Sequence, residues 1–375
     1  MTASMLRPTD LASLRAAILD STGTIGIAGA GTAAGWAGTL RPVDAVLDTT
    51  GLSGVIVHNP GDMTVAVHAG TPLRVLQEEL APHGQQVSID AARVAAGATV
   101  GGLIATGDAG PSALVFGSLR DLVIGVTLVL ADGTVARSGG HVIKNVAGYD
   151  LAKLVHGSYG TLAVVAEVVL RLHPVPERRA TLAVECALPV AAELATAVLG
   201  GPYEAAALEW VNGTLLTTLA GTEAAMEARL GRLRRVLPGA TLTDERDSRT
   251  LGSDESPARR AWAEHSAAVG GSGDDAVLRI GTRPSRLPAL LDALPTRSVT
   301  AGLGTGVATV VLDPADVAAA HEAVAAVGGT SVGRTRPVGV PAWGPAPSAL
   351  GVLRAVKNSL DPQHRLGPGR FDPWM

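Results

Sequence analysis

Three stretches of this sequence gather the residues from which a binding or redox site can be built. In Gly29-Ala30-Gly31-Thr32-Ala33-Ala34-Gly35 the side chains are small enough for successive backbone N–H groups to converge on one anion, and a diphosphate seated that way needs no cationic side chain. The run also fits a Gly-x-Gly-x-x-Ala dinucleotide fingerprint, with Asp48 suitably far downstream. That fingerprint must open a helix, whereas Gly35, Gly38 and Pro42 follow at once, so the nicotinamide reading fails on context; an ordinary glycine-rich turn stays open as the alternative. The second stretch, Ala98 to Gly110, joins a helix cap at Thr99 to glycines that let a flat ligand approach the backbone, and a packed helix and loop explains it nearly as well. The third, Gly140 to Leu151 followed by Gly157-Ser158-Tyr159-Gly160-Thr161-Leu162, sets polar groups beside an apolar helix, where they need partners if buried. Within it His141 is a candidate base and Lys144 a candidate anion anchor, with structural roles equally open to both. Arg279 and Arg283, four apart on an expected strand, share a side and suit either a carboxylate or a solvated sheet face.

The elements that must hold these stretches follow from periodicity. Leu11, Leu14 and Ile18 recur as one face of a first helix after Asp10. Residues 24–28 read as a strand entering the glycine loop, and residues 55–58 and 64–69 as two more. Thr71 and Pro72 are suited to start a helix whose face is Leu73, Leu76 and Leu80. Asp132-Gly133 supplies the positive φ of a tight hairpin between residues 122–130 and the run from Val135. Residues 161–172 make a long β-branched strand closed by Pro174. In the second half one pattern recurs: strand, helix, two strands, helix, strand over residues 181–243 and again over 276–334. Two such βαββαβ units side by side predict one broad antiparallel sheet with helices on one face; chance alternation in an α+β chain is the competing account. Between them residues 244–272 read as a charged, mostly helical insert. A helix near 348–360 leads to a turn-rich return segment through Gly367-Pro368-Gly369-Arg370.

Composition narrows the function. The 375 residues, 47% of them hydrophobic with only five Trp, three Tyr and two Phe, suit helices packed on sheets, and their number implies two domains. A net charge of −4 without basic or acidic blocks argues against nucleic acid and anionic membranes. Cys186 stands alone, so an iron–sulfur cluster, which takes about four thiolates, would have to belong to another chain. Apolar runs are broken well short of the roughly 20 residues of a membrane span, and the N-terminus lacks a signal sequence, so a cytoplasmic location is expected.

Ala69-Gly70-Thr71-Pro72-Leu73, the run from Ala98 to Gly102, Lys144-Asn145-Val146-Ala147-Gly148-Tyr149-Asp150 and Pro368-Gly369-Arg370 occur in an order that resembles the FAD-binding subunits of bacterial glycolate oxidase. These are members of the vanillyl-alcohol oxidase and p-cresol methylhydroxylase flavoprotein superfamily. The resemblance covers most of residues 20–175 and the C-terminus, and reaches the middle only in layout. It implies an α+β fold: a split FAD-binding domain of the p-cresol methylhydroxylase type over 1–175, a cap over 176–345 with the antiparallel sheet of two βαββαβ units, and a return segment over 346–375. It implies FAD contacts at Ala28, Gly29, Ala30, Gly31, Thr32, Ala33, Ala34, Thr71, Ala98, Thr99, Gly101, Gly102, Thr106, Gly110, Asn145, Gly148 and Gly160, with the diphosphate on Gly29 to Ala34. Two departures stand out. Thr32 is followed by two alanines and Trp36 where the family usually has a polar step, and Ala163 replaces the last glycine of Gly-Thr-Leu-Gly. No histidine lies in the diphosphate loop, so dissociable FAD is expected. His265, His321 and His364 lack ligand spacing, and no metal is expected. The resemblance implies a subunit that carries electrons beside a catalytic FAD subunit and an iron–sulfur subunit, at the inner face of the cell membrane if its partners sit there. An autonomous FAD-dependent dehydrogenase of a small 2-hydroxy acid and a redox-inactive scaffold are the alternatives.

Overall fold

The computed structural model describes residues 3–142, 148–244, 256–271 and 274–375, and divides into two compact units. The first comprises Met1–Gly110, Phe116–Val175 and Ala346–Met375; the second comprises Pro111–Val115 and Pro176–Pro345. Lys144 and Asn145 lie outside the described residues.

The first unit opens with β1 (Ser4–Leu6), which the sequence pattern does not announce. The helix Leu11–Asp20 begins where Asp10 accepts from the Ser13 N–H and Ser13 returns the bond, a capping box that satisfies two otherwise orphaned donors. Its Leu14 and Ile18 are fully buried. β2 (Ile25–Ala28) and β3 (Ala45–Asp48) complete a three-stranded parallel sheet in the order β1-β3-β2. Next come β4 (Val55–Asn59), β5 (Thr64–His68), β6 (Gln85–Gln86), β7 (Val123–Val129), β8 (Val135–Gly139), β9 (Val164–Arg171) and β10 (His173–Pro174). Of these, β4-β5-β9-β7-β8 form a five-stranded antiparallel sheet, and β6 pairs with β10. The β7–β8 turn is the expected one: Gly133 has φ +78° and Asp132 accepts from the Thr134 N–H at 2.8 Å.

Side chains of β5, β7 and β9, together with the helices Leu73–Leu80 and Val100–Thr106, make one apolar core. The C-terminal segment belongs to this unit as well. Leu366 bridges to Ile25 in parallel, and the Gly367 N–H donates to the Ile25 carbonyl at 2.9 Å.

The second unit carries the repeat. Its strands β11 (Arg178–Glu185), β12 (Ala207–Val211), β13 (Thr214–Gly221), β14 (Thr241–Asp244), β15 (Ala276–Gly281), β16 (Thr296–Gly302), β17 (Val307–Leu312) and β18 (Thr330–Gly333) form one eight-stranded sheet, and all its pairings are antiparallel. The order β14-β11-β13-β12-β16-β17-β15-β18 is the same four-strand arrangement twice, joined through β12 and β16. The four helices of the two units bury Ala191, Leu230, Leu290 and Val324 in one core on one sheet face. The helix Pro257–Gly270 differs from the one-face expectation: its Ala258, Ala261 and Ala268 pack with Ala183, Leu216 and Val277, on the opposite face. Alternation along the strands explains this, since neighbouring residues such as Leu215 and Leu216 are both buried and so both faces need cover. β15 stops at Gly281, so Arg283 leaves the strand and precedes the turn Pro284–Arg286 instead of sharing a face with Arg279.

Candidate functional site

β2 delivers the chain into the glycine loop, which forms successive turns and opens no helix. Gly31 has φ +74°, the left-handed region that glycine enters without steric cost, and nothing lies within 4 Å of a Cβ built there. Gly29 is small for a different reason, because a Cβ would stand 2.6 Å from the Thr99 hydroxyl. Thr99 caps the helix Val100–Thr106 by accepting from the Gly102 N–H at 3.1 Å, as expected. The same contact therefore places the helix start against the loop. A third wall comes from Ser158–Gly160, tied to that helix by the Gly157 N–H on Ile104 and the Tyr159 N–H on Ala105. Tyr159 adopts φ +51°, a costly conformation for a bulky residue, held here by those bonds.

These walls enclose a cleft that opens to solvent at its mouth. Of the positions singled out in the sequence, Ala28, Gly29, Ala30, Gly31, Thr32, Ala33, Ala34, Thr99, Gly101, Gly102, Thr106 and Gly160 line it. Others do not. Thr71 is fully buried, and its hydroxyl accepts from the Gly54 N–H at 2.9 Å and donates to the His68 carbonyl at 2.7 Å. It makes no cap for the Leu73–Leu80 helix, whose N-cap is Pro72. Ala98 is buried with its carbonyl bound by the Leu73 N–H, and Gly110 packs against Asp90. Gly148 lines a separate cleft with Tyr149, Asp150 and Arg120. His141 contacts Thr64 at 3.0 Å and Asn59 at 3.2 Å, away from the cleft lining. Asp48 caps the turn Thr49–Gly51 and pairs with Arg7, work that excludes it from a ribose role in the cleft.

Sequence reasoning missed Arg93. It sits on the turn Ala92–Val94, buried, with Nε 3.0 Å from Asp108, Nη1 2.8 Å from the Thr32 hydroxyl and Nη2 2.8 Å from the Thr106 hydroxyl. Its guanidinium lies 4.1 Å from the Trp36 ring centroid. The available signal was that Arg93 is the sole Lys or Arg between Gln85 and Leu119. Arg370 also lines the cleft, donating to the carbonyls of Ala34, Trp36 and Gly38, and burial pushes its pKa down. Thr49, Ala105, Ala163 and Val165 complete the wall, with Ala163 at the position of the family's glycine.

The donor set suits a bound anion. Among the described residues no acceptor takes the backbone N–H groups of Ala30, Gly31, Thr32 or Ala33, and two guanidinium groups flank the loop. Residues 4–139 match the family model described as FAD binding domain. FAD is the cofactor, and the cleft's small residues, loop amides and cations fit a dinucleotide diphosphate. The chain is similar to glycolate oxidase subunit GlcE of Escherichia coli strain K12, 35% identical over 190 residues, 50% of this chain and 54% of that protein. It is 38% identical over 122 residues to glycolate oxidase subunit GlcD of Bacillus subtilis strain 168, covering 32% of this chain and 26% of that one. With D-lactate dehydrogenase of Archaeoglobus fulgidus it shares 43% identity over 106 residues, 28% of this chain and 24% of the relative. The chain thus spans about half the length of the first of these relatives and about a quarter of the other two. Its fold is similar to that of alkyldihydroxyacetonephosphate synthase, with TM-score 0.66 at 15% identity, over 97% of this chain and 76% of that one. The α+β, p-cresol methylhydroxylase-type fold expected from the sequence is therefore the fold observed.

Among the described residues no three His, Cys, Asp or Glu side chains gather as metal ligands, and no helix is long and apolar enough to cross a membrane. His265 is engaged with Thr300 at 2.6 Å and His321 with Ser331 at 2.7 Å.

Proposed function

We propose that this chain is an FAD-dependent oxidoreductase acting on small 2-hydroxy acids, as the FAD-bearing subunit of a glycolate oxidase-type assembly. The carrying observation is the cleft itself: glycine loop, Thr99-capped helix and Tyr159 turn converge within a domain whose relatives are glycolate oxidase subunits and D-lactate dehydrogenases. Residues 29–34 would hold the diphosphate, and Thr99 to Thr106 with Ser158 to Gly160 would hold the flavin. When bound, FAD supplies the hydride or electron acceptor. The chain's own residues hold it: the loop amides and arginines balance its charge, and Ile27, Ala163 and Val165 keep water from the inner wall. A homologous catalytic flavoprotein and an iron–sulfur subunit are the proposed partners, because Cys186 alone cannot hold a cluster.

The D-lactate dehydrogenase relatives favour a second reading, that the chain turns over substrate by itself. An anaerobic absorbance spectrum with glycolate or D-lactate separates the two. The subunit reading expects bound flavin that stays oxidised until partners are added; bleaching of the isolated chain at a catalytic rate establishes the autonomous enzyme. A colourless protein that takes up no FAD defeats both.

A further inference from the structure

Nothing in a glycine-loop site requires a buried arginine, yet Arg93 is 6% exposed and its partner Asp108 is 1% exposed. Taking a cation out of water is expensive unless charge and hydrogen bonds answer it on all sides. Asp108 answers on one side, at Nε. The Trp36 ring covers a face of the guanidinium, so its remaining donors point edgewise. A guanidinium has five N–H donors in a plane. Asp108, Thr32 and Thr106 take three, and among the described residues no acceptor takes the remaining two, on Nη1 and Nη2. Arg93 lines the cleft beside Thr32, so these donors sit next to the loop amides that no acceptor takes among the described residues.

We propose that Arg93 is the charged anchor of the cofactor's diphosphate, aimed by Asp108, Trp36 and Thr106. The inference rests on the placement of FAD in this cleft argued above. It gives Trp36 a purpose: where the loop departs from the family's polar step, an aromatic platform positions a cation that arrives from a different segment. Asp108 answers the charge at Nε, and an anion in the cleft would answer it at the two unclaimed Nη donors.

The test is titration of the apo-protein with FAD by flavin fluorescence, and with ADP as competitor, comparing the parent and Arg93→Lys with Arg93→Gln combined with Asp108→Asn, so that neither buried charge is left unpaired. Arg93→Gln keeps donors for Thr32 and Thr106 but carries no charge, whereas Arg93→Lys keeps charge without the fork. The anchor predicts that the Gln variant binds FAD and ADP roughly 10- to 100-fold more weakly, by the same factor, with the Lys variant between it and the parent. Equal affinities of the Gln and Lys variants, or ADP binding that Arg93→Gln leaves unchanged, overturn it. Should the Gln/Asn double variant not fold, Arg93→Lys alone carries the test: several-fold weaker ADP binding supports the anchor, and unchanged binding overturns it. Gly31→Trp keeps the two levels apart. FAD retained in that variant removes the cleft assignment; FAD lost there but unaffected by Arg93 variants removes only the anchor.

Discussion

Gly31 combines a positive φ with open space where a side chain would project, so a large residue there fills the cleft before it disturbs any packed neighbour. Gly31→Trp is expected to abolish flavin uptake, read as absorbance near the visible flavin band per mole of protein, while the far-ultraviolet circular dichroism stays native. A folded variant with full flavin content refutes the placement. Lys357 is the opposite case, a buried charge wholly committed to structure. Its Nζ donates to the carbonyls of Thr161 at 2.7 Å and Leu366 at 3.0 Å and pairs with Asp361 at 2.6 Å, and Asp361 also accepts from the Arg365 and Leu366 N–H groups. Lys357→Met strands the Asp361 carboxylate in the interior and is expected to cost about 3–5 kcal/mol, measured by denaturant unfolding. Adding Asp361→Asn should return part of that loss. Both residues are plain letters in the sequence: nothing local distinguishes Lys357 from a solvated helix lysine, because its partners lie up to 196 positions away.

At the scale of elements, the return segment closes the first unit. Gly38 approaches it so tightly that a Cβ would stand 2.0 Å from the Gly369 carbonyl oxygen, and Arg370 bridges back to three carbonyls of the loop region. Gly38→Ala is therefore expected to loosen residues 366–375 and weaken FAD retention together. Limited proteolysis with and without FAD checks this; an unchanged cleavage pattern would mean the backbone moves aside freely. A cap written in adjacent residues was legible from sequence at Thr99, because donor and acceptor lie within one turn. Thr71 looked like a cap by the same logic and is not one, since Gly54 and His68 claim its hydroxyl first.

For the molecule as a whole, pH offers a global readout. His321 and His173 both have pKa values pushed below the ordinary histidine range, chiefly by burial, with Arg336 and Arg171 adding to it. The native state therefore resists protons that the unfolded chain binds near pH 6.5. Where the unfolded state binds more protons, stability rises with pH, so unfolding free energy should fall as pH drops through about 6.5 toward the lower native values. Asp10, Asp44 and Asp132 have pKa values lowered from an already acidic range by hydrogen bonds, so their losses come at lower pH still. Denaturant midpoints at pH 7.5 and 5.5 should differ in that direction, and His321→Asn should shrink the difference. A flat profile would show that these rings protonate within the fold at no cost.

The sequence by itself determined what local chemistry writes: the loop, the Thr99 cap, the Asp132-Gly133 hairpin and the doubled βαββαβ pattern, whose apolar periods recur within short windows. Its motif order was enough to point to FAD. Only the tertiary structure decided which of those residues share a cleft, admitting Thr106 and Gly160 and leaving out Thr71, Ala98, Gly110, Gly148 and His141. It also brought in Arg93 and Arg370, and set the helix Pro257–Gly270 on the second sheet face. The reason is physical: a hydrogen bond or ion pair between residues far apart in sequence leaves no periodicity behind, and appears only when the chain has been brought back upon itself.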